Sequence, residues 1–145
     1  MPTRTARTTW TGGLQDGSGE VELVSSGLAT FDVSFPKRAA EEADGTTSPE
    51  ELIAAAHSSC YSMALSGGIA AAGGTPESLV VDAVVRLGPD PAGGFRIVDI
   101  ALTVRAKVQG LDEAGFVAAA EAAKAGCPVS KALTGTTITL DAALA

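Results

Sequence analysis

Residues 48–66 read Ser48-Pro49-Glu50-Glu51-Leu52-Ile53-Ala54-Ala55-Ala56-His57-Ser58-Ser59-Cys60-Tyr61-Ser62-Met63-Ala64-Leu65-Ser66. Ser48 has the chemistry of an N-cap, Pro49 falls where a missing N–H costs nothing, and Glu51 stands three residues after the cap. Together they open a helix with a capping box. From Leu52 to Ala72 no proline interrupts, alanine dominates and apolar residues lie on nearly every side, the pattern of a helix enclosed by protein. The pattern predicts one long buried central helix that stops at Gly73-Gly74, with Pro76 as a second stop signal. Within it Glu50, Ile53, His57 and Cys60 stand at i, i+3, i+7 and i+10, so a carboxylate, an imidazole and a thiol share one stripe.

Working outward, residues 7–10 and 20–24 alternate polar and apolar around Gly12-Gly13, Asp16-Gly17 and Gly19, which predicts two strands of a hairpin. A third strand, 29–35, ends at Pro36, and Lys37-Arg38 lead into a polar loop over 39–47. Beyond the helix, residues 79–87 and 95–108 are long β-branched runs separated by a Gly- and Pro-rich loop, a second hairpin. Asp112 caps a second alanine-rich helix over 113–125, closed by Gly126. Pro128 then opens a short helical turn through Leu133, and residues 136–140 make the last strand. The order βββ-α-ββ-α-α-β groups strands instead of alternating them with helices. That indicates an α+β fold with an antiparallel-rich sheet, in a single domain spanning 1–145.

The chain has 145 residues and a formal net charge of −7, with 10 Lys and Arg and no basic cluster, which argues against nucleic acid or an anionic membrane surface as partner. The first thirteen residues lack an apolar segment of the kind a secretory signal needs, so a cytoplasmic location is expected. The 52–72 segment is long enough to span a bilayer, but His57, four serines and Gly67-Gly68 make it too polar and too breakable. Two cysteines in a reducing compartment are expected to pair transiently, if they pair at all.

A cysteine in an alanine-rich helix is more often a small buried hydrophobe than a nucleophile, and His57 reads first as a hydrogen-bonded core histidine. Cys127 stands in Gly126-Cys127-Pro128, at a helix N-terminus where the dipole favours thiolate, so local logic makes it the more acidic thiol. Three readings compete for these residues: a catalytic thiol, a metal-binding protein using Cys60, His57 and Cys127, and a non-catalytic redox sensor. The metal reading has only one histidine and no Cys-x-x-Cys pair to draw on.

Residues 47–66, TSPEELIAAAHSSCYSMALS, together with Cys127-Pro128-Val129-Ser130-Lys131-Ala132-Leu133, closely resemble the two cysteine motifs of the OsmC/Ohr family of thiol-dependent peroxidases. The element order fits that family over nearly the whole chain, and the residues around both cysteines are similar to its OsmC branch. The resemblance implies an OsmC-like fold, an intertwined homodimer with sites at the interface, and reduction of organic hydroperoxides; the apolar surroundings of the helix suit a carbon substituent, so these are expected to react better than hydrogen peroxide. It implies that Cys60 is the peroxidatic cysteine and Cys127 the resolving one, and that Arg38 and Glu50 complete the site. No resident cofactor or metal is implied; electrons would come from an external dithiol, free or as a lipoyl group on a partner protein.

Chemistry fits this set. A thiol with a pKa of about 8.5 offers only a few per cent of thiolate at neutral pH, and burial lowers that further, so a cation such as Arg38 is required. Glu50 would orient it. Ten residues at about 1.5 Å rise place Glu50 on the order of 15 Å from Cys60 along one helix, too far to share a small substrate. Two copies of the helix crossing antiparallel near Ala54-Ala55-Ala56 would bring Glu50 of one chain beside Cys60 of the other, giving two composite sites per homodimer.

Overall fold

The computed structural model describes all of residues 1–145, and its internal contacts divide the chain into two compact units, residues 1–52 and 53–145. In the first unit β1 (Arg7–Thr11), β2 (Ser18–Glu22) and β3 (Thr30–Val33) form an antiparallel sheet in that order. The register sets Val21 between Thr8 and Phe31, and Val21 is the buried apolar residue of this unit. β2 lies two residues earlier than the sequence pattern suggests. Leu23 and Val24 leave the strand because the Leu23 carbonyl accepts from Gly27 N–H and its own N–H goes to Ala29, which closes a turn.

The second difference follows β3. Pro36 does not end a strand ahead of a loop; it sits in the first turn of a short helix, α1 (Phe35–Ala39), where its lack of an N–H is harmless. Ser34 caps that helix by accepting from Lys37 N–H. Lys37 and Arg38 are therefore helical, and the element order becomes βββ-α-α-ββ-α-α-β.

The long helix α2 (Pro49–Ala71) begins as its sequence indicates, with the Ser48 hydroxyl accepting from Glu51 N–H. The capping box is half made, since the Glu51 carboxylate takes the Thr47 hydroxyl. At its other end Gly73 adopts φ +87° and Gly74 N–H returns to the Ile69 carbonyl, a left-handed stop that a side chain would strain. A Cβ on Gly74 would lie 2.7 Å from the Leu111 side chain, so the chain can turn closely there only with glycine.

In the second unit β4 (Thr75–Pro89), β5 (Phe95–Gln109) and β6 (Thr137–Leu144) form the other sheet. β4 and β5 are an antiparallel hairpin and β6 joins β5 in parallel. A parallel neighbour needs a crossover, which α3 (Glu113–Gly126) and α4 (Pro128–Ala132) provide. Three of the four strand pairings are antiparallel, as expected for this α+β fold. Ile100, Leu102, Val104 and Ala106 alternate along β5 and face into the core, each aligned with an apolar residue on β4 and on β6. Against this face lie Tyr61, Leu65 and Ile69 of α2 and Phe116, Ala120 and Ala123 of α3. The Tyr61 hydroxyl donates to the Ala120 carbonyl and ties the two helices together.

α2 is less enclosed than its composition suggests. His57, Tyr61, Leu65 and Ile69, four residues apart, are fully buried, while Ala55, Ala56, Ser59, Met63 and Gly67 lie exposed along another stripe, Met63 at 75%. An alanine-rich helix carries no polar face to mark which side meets solvent. No helix is long and apolar enough to cross a membrane. Because Leu65 is fully buried in the β5 and α3 core, Leu65→Ala is expected to cost about 2–5 kcal/mol in urea unfolding, by lost burial plus the cavity left behind.

Candidate functional site

In the first unit, α1 delivers a guanidinium to the start of α2. Arg38 Nη2 donates to Glu50 Oε1 at 2.7 Å, and its Nε donates to both carboxylate oxygens at 3.1 and 3.2 Å. This is a forked, charge-assisted pair on a largely buried carboxylate, with the Glu50 side chain 10% exposed. The hydrogen bond to Glu50 raises the Arg38 pKa above its ordinary value, so the guanidinium is charged throughout. The neighbouring Lys37 turns away and pairs with Asp44 at 2.6 Å. The two adjacent cations thus take different partners, and Arg38 is the one fixed in orientation.

Beside Arg38 lies a pocket of 470 Å³ whose walls include Trp10, Leu14, Val21, Val33, Phe35 and Leu52. Arg38 is the only charged residue among those lining it. A ligand there would meet an apolar surface with one cationic group, the arrangement that suits a molecule with a hydrocarbon end and a polar end. Trp10 is part of this wall and 42% exposed.

The second unit carries the thiols. Cys60 lies in the middle of α2. Cys127 separates α3 from α4: its N–H goes to the Ala123 carbonyl and its own carbonyl accepts from Lys131 N–H. The helix breaks at this residue because Pro128 follows, which disfavours helical backbone at the residue before it; Cys127 has ψ 123°. Gly126 accordingly ends α3 as a helical residue and not as a left-handed cap. The two sulfurs are 3.3 Å apart, and both cysteines are free thiols. A disulfide spans about 2.05 Å, so closure asks for a shift of little more than an ångström.

The surroundings treat the two thiols differently. Burial pushes the Cys60 thiol up, against a smaller opposing pull from the Val129 N–H. Burial also acts on Cys127, which is fully enclosed, but hydrogen bonds from Ser130 N–H, the Cys60 thiol, the Ser130 hydroxyl and Val129 N–H outweigh it and bring this thiol below its ordinary value. Within this unit Cys127 is the more acidic sulfur, in line with its place before a helical turn.

His57 is fully buried one turn before Cys60, and its Nε2 lies 2.8 Å from Ser130 Oγ. Burial lowers its pKa from 6.5, so the ring is neutral in the folded protein at neutral pH. An unfolded chain would take up this proton first on acidification, so the contribution is complete above pH 6.5 and stability falls as pH drops below it. Wild type is expected to lose stability from this residue as pH falls through and below 6.5, and His57→Gln to flatten that dependence. Urea midpoints across that range measure it. No group of three or more His, Cys, Asp or Glu side chains is arranged to hold a metal ion, and His57 Nε2 is already engaged by Ser130.

Of the residues singled out from the sequence, Cys60 is brought to Cys127 and Arg38 to Glu50. Ser130 carries no chemical signal of its own in the sequence. It lies in the quoted Cys127-Pro128-Val129-Ser130 run, and only its contact with His57, 73 residues away, marks it.

Comparison with known proteins gives one direction. The profile of the OsmC-like protein family matches residues 42–141. The chain is 43% identical over 132 residues to peroxiredoxin OsmC of Escherichia coli K12, covering 91% of this chain and 90% of that protein. Among solved structures, the organic hydroperoxide resistance protein OhrB of Bacillus subtilis is 30% identical, with a TM-score of 0.74 and coverage of 95% and 97% of the two chains. An organic hydroperoxide resistance protein from Elizabethkingia anophelis is 29% identical, with a TM-score of 0.77 over 100% of this chain and 98% of the other.

Proposed function

From a chain that belongs to the OsmC family, and whose reaction is the thiol-dependent reduction of hydroperoxides, we infer that Cys60 makes the first attack and Cys127 resolves it. The observation that carries this reading is the 3.3 Å separation of the two sulfurs. The Cys60 thiolate attacks the distal oxygen of the peroxide, the O–O bond breaks, and the departing alkoxide takes a proton to leave as an alcohol. Cys60 is then a sulfenic acid. Cys127 attacks that sulfur, the S–O bond breaks, water leaves, and a disulfide joins the two residues. An external dithiol, free or as a lipoyl group on a partner protein, exchanges with the disulfide and restores both thiols. The chemistry needs no prosthetic group.

Burial raises the Cys60 pKa, so within its own unit it lacks what a nucleophile needs. We assign that role to Arg38, held by Glu50 and supplied by a second copy of the chain. The exposed stripe of α2 from Ala55 to Gly67 supports this: its small side chains permit close approach of another helix, and Met63 stands open on it. Crossing there would produce two composite sites in a homodimer. The absence of a basic cluster fits an enzyme of small substrates, and we place it in the cytoplasm, where a pair of thiols is kept reduced between turnovers.

The apolar pocket beside Arg38 favours a carbon substituent. An alkyl or aryl hydroperoxide is therefore expected to show a kcat/KM roughly 10- to 100-fold above that of hydrogen peroxide, since each buried carbon adds on the order of 1 kcal/mol. Consumption of both peroxides with a dithiol as reductant measures the ratio, and Leu14→Asp in the pocket wall should narrow it. Equal rates for the two peroxides would remove the pocket from the substrate's path.

A further inference from the structure

The reaction as written uses two sulfurs, a guanidinium and a carboxylate, and leaves one buried ionisable group without a task. His57 is fully enclosed beside the thiols, its Nε2 is 2.8 Å from Ser130 Oγ, and its Nδ1 has no hydrogen-bond partner. That asymmetry decides the tautomer. If Nδ1 carried the hydrogen, a buried N–H would be left without an acceptor; if Nε2 carries it, only a lone pair is left bare. Bare buried N–H groups are the rarer and costlier of the two. Nε2–H therefore donates to Ser130 Oγ. The Ser130 oxygen is then occupied as an acceptor on that side, and its own hydrogen is free to turn toward Cys127, three residues earlier at the start of α4, whose thiol the Ser130 hydroxyl and N–H draw below its ordinary value. Ser130 is itself 6% exposed, so water does not compete for that hydrogen.

We propose that His57 and Ser130 are positioning residues for the resolving step: His57 aims the Ser130 hydroxyl so that it holds Cys127 as a thiolate facing the Cys60 sulfenic acid. This rests on the assignment of Cys127 as the resolving cysteine. The step balances as follows. Cys127 gives up its thiol proton, its sulfur attacks the Cys60 sulfur, the S–S bond forms as the S–O bond breaks, and the departing hydroxide takes up one proton to leave as water. The Cys127 sulfur is oxidised and the Cys60 sulfur reduced. Two N–H groups, from Val129 and Ser130, assist at the sulfurs but cannot be re-aimed, whereas the hydroxyl is a rotor that only His57 restrains. The other ionisable groups around this cluster are the Tyr61 hydroxyl, which donates to the Ala120 carbonyl, and Glu121, whose charge is felt at Tyr61.

The test separates the resolving step from the first attack. Reduced protein receives one equivalent of an alkyl hydroperoxide, and Cys60 oxidation and Cys60–Cys127 disulfide formation are followed by rapid quench, alkylation and mass analysis. In Ser130→Ala and His57→Leu, disulfide formation is expected to fall at least tenfold relative to Cys60 oxidation, with sulfenic acid accumulating. Ser130→Thr restores the hydroxyl and His57→Gln restores a donor near the Nε2 position, and both should recover most of the rate, which a purely structural role for either residue would not predict. In a Cys60→Ser background, the pH profile of Cys127 alkylation should move upward by about one unit in Ser130→Ala. An unchanged ratio together with an unmoved alkylation profile would overturn the proposal while leaving the two-cysteine reading intact. If wild type formed no Cys60–Cys127 disulfide, that reading would fail and the proposal with it.

Discussion

Cys60→Ser is expected to lower peroxide turnover by on the order of a thousandfold or more, to the rate at which the dithiol alone reacts with peroxide. A serine hydroxyl in the same mid-helix position offers neither an accessible anion nor a sulfur able to accept oxygen. Cys127→Ser has a different signature. The first attack proceeds, but the sulfenic acid has no sulfur at 3.3 Å to condense with, so it persists and is carried on to sulfinic acid when peroxide is in excess. Intact mass distinguishes the two variants after a single addition of peroxide. Comparable turnover by wild type and Cys60→Ser would remove Cys60 from the chemistry.

Arg38→Ala is expected to reduce kcat/KM by on the order of 10²-fold, the effect of deleting one preorganised charged donor at a reacting group. Arg38→Lys should recover only part, because a single ammonium cannot fork onto Glu50 while facing a sulfur. Glu50→Gln should fall between them, as the guanidinium keeps its charge but loses its orienting partner. Mixing two inactive variants tests the composite site. Heterodimers of Arg38→Ala with Cys60→Ser contain one site with both wild-type residues if the site is shared between chains. Random exchange makes about half of all dimers mixed, each with one working site of two, so roughly a quarter of wild-type activity should return. A site built within one chain would recover none.

The parts of this fold that were legible in the sequence are those set by local chemistry. Ser48, Pro49 and Glu51 mark where α2 begins, Gly73-Gly74 where it ends, and the β-branched runs either side of residues 88–94 mark the β4–β5 hairpin. Cys127 at the break between two helices follows from Pro128. Other features depend on partners far away in the chain. The parallel pairing of β6 leaves no mark in its composition. Pro36 is compatible with ending a strand or starting a helix, and Ser34 decides the matter by capping Lys37 N–H. Alanines 55 and 56 suit a buried helix and an exposed one equally, so the open stripe of α2 could not be read from them. Of the proposed site, both cysteines and Glu50 lie within the two quoted motifs and Arg38 upstream of the first, while Ser130 becomes visible only through the imidazole it touches.

The measurement that tests the two-cysteine chemistry most directly is the intact mass of fully reduced wild type after one equivalent of an organic hydroperoxide, quenched with a thiol-alkylating agent and followed by peptide mapping. The result predicted is a mass lower by two hydrogens, no alkylation, and a single cross-linked peptide pair joining Cys60 to Cys127. An unchanged mass with both thiols still open to alkylation would contradict it.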